Sequence, residues 1–261
     1  LATELERPQR RWDRKAYNEA QFDEMCLAED AVGRNPCDVG ARARLAAALY
    51  NLGHLDEALE EAEVAVSQKP DYARARLVHG VALYGTARAV DAMGEIRRAM
   101  ELDPADKHAC YAMGVVLQSE ERNAEALEAM ERGLRLDPRS VKLILGKGHS
   151  LEELGRHEEA LDTADRAIAL EPRHRYAHKF RGTVLLSLGR AREALDALDN
   201  SLEISPNDPW AHVERWRALD ALGRYSESVE AFDRGMGLAP EIFTPPKEAL
   251  KARLKRARGV P

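Results

Sequence analysis

The sequence predicts an all-α protein, a solenoid of stacked helical hairpins, and three observations carry that prediction. Seven prolines, Pro36, Pro70, Pro104, Pro138, Pro172, Pro206 and Pro240, follow one another at intervals of 34 residues. Leucine stands at the same place in all six intervals: Leu49, Leu83, Leu117, Leu151, Leu185 and Leu219. Ala, Leu, Glu and Arg dominate the composition and aromatics are 5%, a balance that favours helix over sheet. A fixed period of this length indicates units that bury their apolar faces by stacking on neighbours.

The elements follow in order from that frame. Residues 1–38 form an N-terminal segment that ends in a partial repeat, in which 20–36 read as a second helix with Ala28, Ala31 and Val32 facing inward. Six repeats follow, at 39–72, 73–106, 107–140, 141–174, 175–208 and 209–242. In each, apolar residues recur at three- and four-residue steps on both sides of a midpoint, so each repeat is two amphipathic helices joined by a tight turn. Gly53, Gly155, Gly189 and Gly223 are natural stops for the first helix. The turns at 84–90 and 118–124 lack that glycine, which leaves the angle between the helices of repeats two and three open.

Small residues fill three columns where the two helices of a hairpin approach. The eighth residue is Ala46, Gly80, Gly114, Gly148, Gly182 and Trp216; the twentieth is Ala58, Ala92, Ala126, Ala160, Ala194 and Ser228; the twenty-seventh is Ala65, Ala99, Gly133, Ala167, Ser201 and Gly235. Trp216 is the exception, since an indole buries roughly 150–250 Å². His212 stands at the fourth residue, and the bulk is expected to shift from there to Trp216. Trp216 is then buried against the second helix near Phe232, with Gly235 making room. Residues 243–261 read as a basic capping helix, with Thr244 and Pro245 at its start and Leu250 and Leu254 facing the last repeat.

This pattern resembles the tetratricopeptide repeat (TPR) family, and the resemblance covers 39–242. It implies a right-handed superhelical solenoid whose first helices line a concave inner surface. The fourth residue departs from the family's usual aromatic, being Arg42, Arg76, Cys110, Ile144, His178 and His212. The resemblance further implies that the second, fifth, ninth, twelfth and thirteenth residues point into the groove. Candidate peptide-binding residues are therefore Tyr50, Arg74, Tyr84, His108, Tyr111, Lys142, His149, Tyr176, Lys179, Trp210 and Arg217. None of the second, fifth and ninth residues is acidic, in a chain of net charge -6. Aromatics and cations in a preformed groove suit an extended acidic segment, and charge reversal at Lys142 and Lys179 is expected to weaken its binding.

Other chemistries find little support. The stretch "VKLILGKGHS" (141–150) resembles a phosphate loop, but the Walker spacing requires a glycine where Val141 stands and a hydroxyl residue where Gly148 stands. The repeat frame puts Gly148 mid-helix. His174 and His178 are spaced as metal ligands but lie among Arg173, Arg175 and Lys179, which disfavours a cation. No nucleophile sits in a recognisable elbow, and the column Glu57, Asp91, Glu125, Glu159, Glu193 and Glu227 reads as a solvated face.

The negative charge argues against nucleic acid as a partner, and no apolar run approaches the roughly 20 residues of a membrane span. Three cysteines without metal-ligand spacing fit a reducing cytoplasm. Thirty of the 39 basic residues are arginine, a composition expected of a GC-rich bacterial gene. The expectation is a non-enzymatic protein-interaction scaffold, without cofactor or metal, that binds a partner segment in its groove. The alternative is a regulatory or substrate-recruiting domain of a larger enzyme or transcription regulator, self-associating through its terminal repeats.

Overall fold

Residues 19–239 are described by the computed structural model, and all their regular secondary structure is α-helical. The chain falls into two compact units, Leu1–Val116 and Leu117–Pro261. The expected capping helix at 243–261 lies outside the described residues, as do residues 1–18 of the N-terminal segment.

The N-terminal unit holds α1 (Glu19–Arg34), α2 (Val39–Asn51), α3 (Leu55–Gln68), α4 (Ala73–Gly85), α5 (Ala89–Leu102) and most of α6 (Lys107–Ser119). α2 packs on α1, α3 and α4, and α4 packs on α3 and α5. Met25, Leu45, Leu49 and Val78 form the centre of this core. The C-terminal unit holds α7 (Asn123–Leu136), α8 (Val141–Glu153), α9 (His157–Leu170), α10 (Arg175–Ser187), α11 (Ala191–Ile204), α12 (Pro209–Ala221) and α13 (Tyr225–Leu238). Its core is built around Ile144, Leu151, Phe180, Val184, Leu198 and Leu219.

The turns inside the hairpins repeat with the sequence. The amides of His54, Arg88, Arg122, Arg156, Arg190 and Arg224 donate to the carbonyls of the six column leucines at 2.8–3.0 Å. This closure satisfies helix-end carbonyls and needs a left-handed residue just before the donor. Gly53, Gly155, Gly189 and Gly223 supply it at φ 71–83°, and Ala87 (φ 60°) and Glu121 (φ 57°) adopt the same conformation without glycine. The turns of repeats two and three therefore match the others, because the ladder around them overrides the local preference.

The fourth residue, where the aromatic is missing, has found a polar use. The side chains of Arg42, Arg76, His178 and His212 donate to the carbonyls of Pro36, Pro70, Pro172 and Pro206 at 2.8–3.2 Å. Each ties a first helix to the loop that precedes it. Arg42 also pairs with Glu61 inside the protein, and Arg76 with Glu95 at 2.9 Å, so the desolvated guanidinium groups are compensated. Cys110 and Ile144 are buried as apolar residues instead.

Gly148 lies in the middle of α8, where a Cβ would meet Thr163 Oγ1 at 2.3 Å and the Phe180 ring at 2.6 Å. Lys147 pairs with Glu131 at 2.8 Å. The stretch is therefore a packed helix and not a phosphate loop. The expectation for Trp216 is corrected in two respects. Its ring does meet Phe232 edge-on at 5.0 Å, but it is half-buried at the margin of the core. A Cβ at Gly235 would instead face the Pro209 carbonyl and Val213 at 3.1 Å. Gly235 thus serves the close approach of the first turn of α12.

Candidate functional site

Groove positions line cavities within each of the two units. In the N-terminal unit, α2, α4 and α6 present their inner faces to a cavity of about 410 Å³. Leu77, Val81 and Val115 supply an apolar lining, Tyr50, Tyr84 and Tyr111 surround it, and Arg74 and His108 stand at its edge. Burial, with the neighbouring phenols Tyr84 and Tyr111, pushes the Tyr50 hydroxyl above its ordinary pKa, and burial does the same for Tyr111. Both phenols stay protonated and remain neutral hydrogen-bonding groups. Gly85 sets the shape of one wall, since a Cβ there would come within 2.7 Å of the Tyr50 ring. A second cavity of about 670 Å³ shares Arg74 and His108 with the first and adds Arg44, Lys107, Asp103 and Asp106.

In the C-terminal unit, His149, Tyr176, Lys179 and Trp210 line a smaller cavity of about 280 Å³, together with Phe180, Thr183 and Glu214. Tyr176 and Trp210 are 37% and 48% exposed. The Tyr176 hydroxyl is hydrogen-bonded to His149 Nε2. Burial, and to a lesser degree the charge of Lys179, lowers the His149 pKa to about 4, so this ring is neutral at pH 7. Lys179 lies 5.3 Å from the Tyr176 ring centre and donates to Asp208 at 3.0 Å. Burial pushes the Asp208 carboxyl up, but the bonds from Lys179 and from the Ala211 and Trp210 amides outweigh it and hold the group below its ordinary value. Glu214 carries an acid into this cavity; burial raises its carboxyl, against the pull of Arg217 at 2.8 Å.

Nine of the eleven candidate residues line these cavities. Lys142 is exposed and lines neither, and Arg217 lies outside them, paired with Glu214. Lys179 lines the smaller cavity but is engaged with Asp208. Glu214 and Gly85 were missed by sequence reasoning. Glu214 is the sixth residue of its repeat, outside the groove columns, and Gly85 carries no signal other than its small size. His174 caps α10 by accepting from the Ala177 amide at 3.1 Å, and His178 holds the Pro172 carbonyl, so each is occupied by backbone. Among the described residues no cluster of His, Cys, Asp and Glu has the makings of a metal site, and no helix is long and apolar enough to cross a membrane.

The hairpin periodicity and the grooves on the first helices define an all-α repeat solenoid protein. The model for "Tetratricopeptide repeat" matches residues 43–107, 111–170 and 145–209, and a second model of that description matches 185–254. The chain belongs to the tetratricopeptide repeat family. No curated protein sequence matches it.

Solved structures of low sequence identity share the fold. The APC/C hetero-tetramer Cut9-Hcn1 is similar over 90% of this chain at 15% identity and a TM-score of 0.80, and this chain spans 46% of that one. A tetratricopeptide repeat protein from Parabacteroides merdae ATCC 43184 matches over 94% of this chain and 96% of its own at 16% identity and 0.66. YrrB, described as "a TPR protein with an unusual peptide-binding site", matches over 70% and 95% at 22% identity and 0.53.

Proposed function

We propose that the protein is a non-enzymatic interaction scaffold that binds an extended, acidic segment of a partner protein, chiefly through the N-terminal unit. The observation that carries this reading is the 410 Å³ cavity, where Tyr50, Tyr84 and Tyr111 from three successive first helices meet beside Arg74 and His108. Rigid aromatic walls give contact area at little entropic cost, and neutral hydroxyls suit the carbonyls and amides of an extended backbone. Membership of the tetratricopeptide family supports protein binding as the general task, and YrrB offers a precedent of similar fold described as binding peptide.

Binding by this route is charge-assisted, so it weakens as salt rises. The test is capture of partners from cell extract by the full chain and by an Arg74→Glu, Tyr84→Ser double variant. A partner specific to the site is released by salt and absent from the double variant. A partner held equally by both proteins places recognition elsewhere and contradicts the reading.

A further inference from the structure

The two cavities of the N-terminal unit meet along Arg74 and His108, which line both. One side is apolar and walled by tyrosines. The other is polar, and its charges are unequally engaged. Asp103 accepts from the Ala105 amide at 3.1 Å and Asp106 from the His108 amide at 2.8 Å, so both carboxylates serve the loop that leads into α6. Arg44 and Arg74 form no ion pair with any described residue. Elsewhere on the first helices Arg76, Arg181 and Arg215 lie 2.6–2.9 Å from a carboxylate of the same unit. Among the described residues, Arg44 and Arg74 thus have no ion-pair partner at the edge of this cavity, and they complement a carboxylate from outside.

We infer that this surface recognises a composite determinant: a bulky apolar side chain in the tyrosine cavity and, next to it on the same face of an extended segment, an acidic side chain on Arg74 and Arg44. This rests on the scaffold reading above and specifies the partner chemistry it leaves open. In an extended chain, alternate residues share a face at roughly 6.5–7 Å, so the anchor and the acid stand two positions apart. Neither half suffices: acid alone meets exposed, hydrated guanidinium groups, and the anchor alone leaves Arg44 and Arg74 unanswered.

The experiment is a titration of the full chain with fluorescent peptides blocked at both ends, carrying Phe-Ser-Glu or Glu-Ser-Phe in a serine and glycine background. Each is compared with versions in which Phe becomes Ala or Glu becomes Gln. One of the two orders binds, and either replacement weakens it about tenfold or more. Arg74→Glu weakens the Glu peptide by a similar factor and leaves the Gln peptide unchanged, which loss of fold would not do. If the acidic peptides bind as well without Phe, or as well to Arg74→Glu, the composite determinant is overturned while groove binding stands. If neither peptide order binds at millimolar concentration, both the determinant and the scaffold reading fail.

Discussion

The two units use the same columns of the repeat and arrive at opposite electrostatic states. In the N-terminal unit, Arg74 stands at a cavity edge with no carboxylate of the described chain to answer it, beside an apolar chamber walled by tyrosines. In the C-terminal unit, Lys179 lines a cavity but is held by Asp208, and Glu214 is held by Arg217. What differs is the distance from the cation to the neighbouring carboxylates. Asp208 and Asp106, at matching places in their loops, both accept from the amide two residues on, but only Asp208 also lies within ion-pair distance of a groove cation, Lys179 at 3.0 Å. A cation in a groove column is therefore neutralised where a neighbouring carboxylate comes within ion-pair distance, as at Lys179, and is available to a ligand where none does.

The largest effect that would sharpen this contrast is on stability. The Lys179 and Asp208 side chains are 16% and 11% exposed, and removing one partner of so desolvated a pair leaves the other uncompensated. Lys179→Met should cost about 2–3 kcal/mol in urea unfolding, below the range for fully buried pairs because some solvent reaches this one. Arg74→Met should stay within about 0.5 kcal/mol. Equal losses at the two sites would erase the distinction. For binding the order reverses: Arg74→Glu should raise the Kd of an acidic segment about tenfold, or ~1.4 kcal/mol, while Lys179→Met leaves it unchanged. A stronger effect at Lys179 would move the acidic site to the C-terminal unit.

A pH dependence should follow from His149. Its folded pKa is about 4, below the ordinary value of about 6.5 for histidine. The unfolded chain therefore takes up the proton first as pH falls. The stabilisation from neutral His149 is complete above pH 6.5 and is lost progressively between 6.5 and 4, by about 1–2 kcal/mol after allowance for the partial exposure of the ring. His149→Gln should flatten that part of the profile, which thermal melts across the range would show. A profile as steep in the variant would assign the dependence to other groups.

The smallest effects concern the turns. Ala87 holds a positive φ in the N-terminal unit where Gly189 does so in the C-terminal unit. Ala87→Gly should stabilise the protein by about 0.5 kcal/mol, because the cost of left-handed backbone for an L-residue exceeds the added entropy of the unfolded chain. Gly189→Ala should cost about 1 kcal/mol. Chemical denaturation of the two variants checks the pair, and a loss from Ala87→Gly would mean that the methyl group contributes contacts the turn geometry does not reveal.

By itself the sequence determined the repeat, its phase and its hairpins, because the 34-residue proline interval and the leucine column are local and redundant. The mid-helix place of Gly148 followed from phase alone, against the appearance of its neighbours. It also pointed to the groove columns, through the family resemblance and not through any contact visible in the chain. The tertiary structure decided what each column side chain does. Replacement of the fourth-residue aromatic acquired meaning only when Arg42, Arg76, His178 and His212 were seen bonded to proline carbonyls six residues back.

The half-exposed position of Trp216, the wall that Gly85 leaves to Tyr50 and the engagement of Lys179 by Asp208 likewise depend on the packing of one helix on another. Periodicity sets which residues face inward. Whether a facing cation is free or neutralised depends on angstrom-scale distances between side chains on different helices, and no one-dimensional pattern encodes them.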